Sequence, residues 1–200
     1  MDEQVYFKYK NGYKIKAISE LLGMARMLSI GPINTEQVKA LHGWLDRQEH
    51  FAHIFPFSEV VPVVKKVLAD GVVDEEEKVE LINLFGSLVG SLQGEDETFA
   101  TTPSLLPFSE PVLEFESSGF VLTGVFLMSK RSAVEEIIKR KGGTCQRNIS
   151  GNTRYIVIGG VASDAYKYGN FGTKIEDALE LKKKGAKIEF ISEEWLVRFI

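Results

Sequence analysis

The sequence is poor in the residues that build covalent and metal-bound scaffolds, with one cysteine, Cys145, and three histidines, His42, His50 and His53, in 200 residues. A lone cysteine forms no internal disulfide, and so few soft ligands are thin material for a zinc site, so a reducing compartment and no cofactor are expected. No apolar run approaches the ~20 residues that cross a bilayer. The opening MDEQVYFKYKNGYKIK puts acids first and no apolar stretch behind a basic start, so it does not read as a secretory leader. A soluble, cytoplasmic chain with no membrane partner is expected. Basic residues are missing altogether from positions 91–119, and that gap separates two parts of unlike charge.

The formal net charge of −4 is a sum of unlike parts. Residues 1–90 hold 10 basic and 13 acidic side chains, residues 91–119 hold none and 6, and residues 120–200 hold 14 and 9. A chain-wide acidic balance argues against a uniformly basic nucleic-acid coat but conceals a C-terminal part of net +5. The acidic middle, SLQGEDETFATTPSLLPFSEPVLEFESSG, is rich in Pro, Ser and Thr and offers little to bury, so it reads as a tether with one strand at most near its end. The expected divisions are a helical domain over 1–93, an acidic linker over 94–111 and a second domain over 112–200.

The first domain reads as a four-helix bundle. After a short strand at Val5 to Tyr9, Ile15, Ile18, Leu21, Leu22, Ala25 and Leu28 recur at helical spacing. Asn34 with Gln37 makes an N-cap and capping-box pair for a second helix that buries Val38, Leu41 and Leu45. A third helix begins around Phe55 to Glu59, carries Val60, Val64 and Val67, and stops at Asp70-Gly71; Asp74 with Glu77 then caps a fourth. The chemistry on offer here is weak. Asp70-Gly71 at the fifth and sixth positions of a calcium loop would put Lys66 and Leu68 at the first and third, where carboxylates belong. His50 and His53 have a metal-compatible spacing without further ligands nearby, and Trp44 and Phe51 read as packing aromatics rather than a platform for bases.

The second domain alternates strand and helix. Phe120 to Gly124 is a short apolar strand ending in a turn, Ser132 to Lys141 an amphipathic helix stopped by Gly142-Gly143, Thr144 to Gln146 a second strand, and Thr153 to Ile158 a third. Thr173 caps a helix that ends in Lys182-Lys183-Lys184-Gly185, Ile188 to Ile191 is a fourth strand, and Ser192 caps a last helix bearing Trp195. This order predicts an α/β unit, a four-stranded, mostly parallel sheet flanked by three helices.

That order, with FVLTG, the Gly-Gly after the first helix, the TRYIVIGG strand, the helix over TKIEDA and the late Trp195, resembles a BRCT domain over residues 112–200. The nearest in appearance are the C-terminal modules of bacterial NAD-dependent DNA ligases and of exonuclease-like bacterial proteins. The first ~90 residues match no family firmly. The resemblance implies structural jobs for Gly142 and Gly143, which permit a tight helix-to-strand turn, and for Trp195, a core anchor. It also implies a phosphate site, because phosphate-binding members hold the anion with a hydroxyl at the end of the first strand, the next glycine N–H and a lysine at the start of the second helix. Thr123, Gly124 and Lys174 occupy those places, and a hydroxyl, a backbone donor and an ammonium suit phosphate oxygens. The competing reading of these three is a strand cap, a turn and a solvated lysine.

Lys130, Arg131, Lys139, Arg140 and Lys141, with Arg147 and Arg154, concentrate charge around the first helix of this domain, and Lys182, Lys183, Lys184 and Lys187 form a second group. Such groups can hold a nucleic-acid backbone without reading bases, or simply keep a surface soluble. No nucleotidyl-accepting ligase domain, nuclease carboxylate set or glycine-rich dinucleotide fingerprint is legible, so no catalysis is expected. The expectation is a noncatalytic adaptor in DNA repair or replication that meets DNA or a DNA-processing protein, with a phosphorylated ligand as one route. The rival classes are a purely protein-protein or homo-oligomeric module, and a detached accessory part of a ligase or exonuclease system.

Overall fold

The computed structural model describes residues 3–89, 92–93, 99–100, 105–160 and 171–200, and the chain divides into two compact units, Met1–Val89 and Gly90–Ile200.

The first unit is all helical: α1 (Glu3–Ile30), α2 (Thr35–Arg47), a single 3₁₀ turn (Glu49–Phe51), α3 (Phe57–Val67) and α4 (Glu75–Val89). Helix α1 lies against α4, and its buried Ala17, Ile18, Leu21 and Ala25 form one stripe at i, i+3 and i+4 spacing. The expected strand at Val5 to Tyr9 is instead the start of α1. Its β-branched and aromatic side chains favour a strand locally, but adding a turn to an existing helix needs no new nucleus.

Both expected capping boxes form. Asn34 Oδ1 accepts from Gln37 N while Asn34 N donates to Gln37 Oε1, each at 2.9 Å; Asp74 Oδ1 accepts from Glu77 N at 2.8 Å while Asp74 N donates to Glu77 Oε2 at 3.0 Å. Helix α3 ends at Val67, earlier than the expected stop at Asp70-Gly71, because the chain runs on in tight turns, Ala69 N to Lys66 O and Gly71 N to Leu68 O. Trp44 stacks on Phe57 at 6.0 Å and Phe51 tilts against the same ring, so these aromatics belong to the interior of the bundle.

The second unit opens with a short antiparallel pair, β1 (Leu92–Gln93) and β2 (Phe99–Ala100), inside the stretch where little regular structure is expected. Its main body is β3 (Gly119–Thr123), α5 (Arg131–Arg140), β4 (Thr144–Gln146), β5 (Thr153–Ile158), α6 (Thr173–Lys183), β6 (Glu189–Ser192) and α7 (Glu193–Val197). The sheet order is β4-β3-β5-β6 with every pairing parallel. Right-handed crossovers from β3 to β4 and from β5 to β6 run in opposite directions, which places α5 and α6 on opposite faces. Phe120, Leu122, Tyr155, Val157 and Ile191 alternate onto one face and cluster with Val134 and Ile138 of α5 and Leu196 of α7.

Half of the expected linker 94–111 lies outside the described residues. Its C-terminal end is tied to the sheet: Phe108 bridges to Phe190 in parallel, Ser109 N donates to Phe190 O at 2.8 Å, and Trp195 Nε1 donates to Pro111 O at 2.9 Å. These bonds cover the open edge of β6, a place where unpaired strand groups would otherwise face solvent. One cap differs from expectation. The N-cap of α6 is Gly172, with extended backbone and no side-chain bond, and Thr173 is the first helical residue.

Candidate cationic site at the carboxyl end of the sheet

In a doubly wound parallel sheet a crevice opens at the carboxyl ends of the two adjacent strands whose connections leave to opposite faces. Here those strands are β3, which feeds α5, and β5, which feeds α6. Thr123 closes β3 at 3% exposure, and its carbonyl accepts from Gly159 N just past β5 at 2.9 Å. Gly124 follows with φ +83°, a conformation that a side chain would strain, and so turns the chain sharply out of the sheet.

Two cations hold this turn. Arg131, the first residue of α5, donates from Nη2 to Gly124 O at 2.7 Å. Lys174, in the first turn of α6, is half-buried and donates from Nζ to Leu122 O at 3.2 Å. Burial, and then the charges of Arg131 and Arg147, push the Lys174 amine below its ordinary value, with Glu135 opposing them. A lysine, an arginine and a strand-end threonine therefore gather where the topology leaves a crevice. Of the sequence-selected trio, Thr123 and Gly124 are consecutive, and Lys174 joins them through the carbonyl of Leu122. Arg131, selected as a DNA-backbone contact, stands in this same group. Arg147 adds only a charge that weakens the Lys174 proton.

The remaining basic residues do not form one patch. Lys130 and Arg131 stand at the start of α5 and Lys139, Arg140 and Lys141 at its end; at 1.5 Å per residue the two ends are about 13 Å apart. Lys141 lies over the Phe115 ring at 5.4 Å. Arg154 is paired with Glu114, Lys184 with Glu180, and Lys182 donates to Ile188 O at 2.7 Å, so each has a local partner. Gly142 (φ +86°) and Gly143 make the turn from α5 to β4. Trp195 is partly buried against the core while tying down Pro111, and Leu196 is the fully buried member of α7.

Among the described residues no group of three His, Cys, Asp or Glu side chains is arranged to hold a metal ion, and no helix is long and apolar enough to cross a membrane. His50 lies on the ring of Phe51 at 3.9 Å. Sequence reasoning missed Glu193. It is 5% exposed, its Oε1 accepts from Met128 N at 2.6 Å, and its Oε2 accepts from Gly160 N at 2.9 Å.

The all-parallel four-stranded sheet, its crossover directions and the α7 anchor agree with the family model described as BRCA1 C Terminus (BRCT) domain, which matches residues 110–200. Residues 110–200 are a BRCT domain. BRCT domains are in general noncatalytic modules that bind proteins, phosphoproteins or DNA.

Proposed function

We propose that this chain is a noncatalytic adaptor whose BRCT domain grips a phosphate group of DNA or of a DNA-processing protein. The observation that carries this reading is that Lys174 Nζ and Arg131 Nη2 converge on the carbonyls of Leu122 and Gly124, on either side of Thr123, while burial and then neighbouring arginine charge disfavour the lysine's own proton. An arriving dianion relieves that repulsion, and hydroxyl, backbone N–H and ammonium donors give it charge-assisted bonds. The bundle and the stretch 94–111 serve as the second arm and the tether. The likeness to the C-terminal modules of bacterial NAD-dependent ligases favours a DNA-repair or replication setting.

The two phosphate sources separate in one titration of the full chain with 5′-phosphorylated duplex, unphosphorylated duplex and a phosphoserine peptide at low and high salt. A local phosphate contact appears as a preference for the phosphorylated member of a pair that survives salt, whereas diffuse backbone attraction falls steeply with salt for both duplexes. Thr123→Ala and Lys174→Ala each lower the preferred affinity by about tenfold, the worth of one charge-assisted bond. Unchanged affinity in both variants refutes the site.

A further inference from the structure

A second concavity lies at the carboxyl ends of β5 and β6, a cavity of about 560 Å³ bounded by Ile158 and Gly159, by Leu127 and Met128 of the loop after β3, and by Ser192 and Val197. Four of the six exposed large apolar side chains in the described part of this unit, Phe108, Leu127, Met128 and Val197, border it. Leu127 is 74% and Val197 45% exposed, so the apolar surface continues from the pocket onto its rim. Concentration of exposed apolar area at one concave place marks an interaction site.

The charges that border it among the described residues are of one sign. Among the described residues, Glu193 and Glu194 are its only charged lining residues. Glu193 has one carboxylate oxygen bound to Met128 N and the other to Gly160 N, which fixes the floor of the pocket between two loops. Glu194 is exposed and has no ion-pair partner among the described residues. Two carboxylates repel a nucleic-acid backbone, and an apolar wall offers it nothing.

We infer that this pocket docks an extended segment of a protein partner, seating one bulky apolar side chain between Leu127, Met128 and Val197 with a neighbouring lysine or arginine against Glu194. A buried apolar anchor supplies the affinity, and a rim charge supplies selectivity and encounter rate. The pocket adjoins the Thr123-Lys174 group at Gly159 but is lined by other side chains and is opposite to it in sign, so the inference does not rest on that group taking phosphate.

The test uses fluorescein-labelled Gly/Ser decapeptides carrying one central Phe flanked by Lys, Ser or Glu. They are titrated into the full chain by anisotropy, and the amide resonances of Met128, Gly160 and Val197 are followed by NMR. The Lys-flanked peptide is expected to bind about tenfold more tightly than the Glu-flanked one, to shift those amides, and to lose its binding in Leu127→Asp and in the milder Leu127→Ser. Glu194→Gln is expected to remove the preference for Lys. Absence of saturable binding overturns the inference. So does equal affinity in Leu127→Ser, a preference for Glu, or concentration-dependent shifts of these amides without peptide, which would assign the pocket to a second copy of the chain.

Discussion

The Lys174 amine is bonded to the carbonyl of Leu122 at 3.2 Å, so the first turn of α6 is tied to the end of β3, one residue before Thr123. On the proposed phosphate role, anion affinity should depend on pH below the usual lysine range. Burial and the neighbouring arginines lower the Lys174 value, and affinity for a phosphorylated ligand falls as pH rises through that lowered value, because the ammonium is lost. In the window between the folded and unfolded values the folded chain holds fewer protons, so stability rises with pH there. Lys174→Arg, charged throughout, should keep its affinity constant across the same range. Calorimetric titrations of both proteins at stepped pH check this, and identical profiles would show that Lys174 is not the titrating contact.

Glu193 ties the loop at Met128 to the loop at Gly160. Glu193→Gln keeps the shape but turns one acceptor into an NH₂ that faces a backbone N–H. The expected cost is about 1–3 kcal/mol of unfolding free energy, read as a lower urea midpoint at constant slope, with the Met128 and Gly160 amides exchanging faster. An unchanged midpoint would mean that the carboxylate is not what holds the loops.

These two contacts mark where the sequence stops being readable. The order of strands and helices after residue 119 follows from short apolar runs, a Gly-Gly stop and two amphipathic helices, all local signals. The bundle's turns were equally local, since Asn34 with Gln37 and Asp74 with Glu77 each lie within one helical turn. What failed was either a local preference overruled by its neighbours, as at Val5 to Tyr9, or a geometric relation across the fold. The basic residues of α5 look contiguous in sequence but divide between the two ends of the helix. Ser192-Glu193-Glu194 reads as a helix cap with acids in the first turn, and nothing nearby announces that Glu193 serves amides 65 and 33 residues away. Thr123 and Lys174 stand out only through the family's pattern, while Arg131, legible as one of a group of basic residues, needed the fold to be placed beside Thr123.

Cys145 should be a poor nucleophile although it is partly exposed. Its thiol is pushed up to about 11, first by burial and then by Glu135, with Lys139 opposing, and its Sγ donates weakly to Glu135 O at 3.6 Å. Only the thiolate reacts. Iodoacetamide labelling of the native protein should therefore be slow at neutral pH and climb steeply only in strongly alkaline buffer, while the urea-unfolded chain labels readily at an ordinary thiol value. Fast labelling of the native chain at neutral pH would contradict this environment. Lys139→Ala, which removes the one charge favouring the thiolate, should slow the reaction further.

Glycine substitutions should change sign between the two units. At Gly143 a Cβ would meet Ile138 Cγ2 at 2.7 Å and Phe120 Cε2 at 3.0 Å, both inside the packed face of the sheet. Gly143→Ala should cost about 1–3 kcal/mol by overpacking, and Gly142→Ala about 1–2 kcal/mol because its φ is +86°. In the bundle, Gly23 of α1 and Gly43 of α2 are helical, and a Cβ at either meets nothing within 4 Å. There the added methyl restricts the unfolded chain without a clash, so Gly23→Ala and Gly43→Ala should each stabilise by about 0.5–1 kcal/mol. Urea unfolding followed by a tryptophan reporter in each unit, Trp44 and Trp195, separates the two effects. Destabilisation of the Trp44 transition by Gly43→Ala would mean that the space beside that helix is needed for something other than solvent.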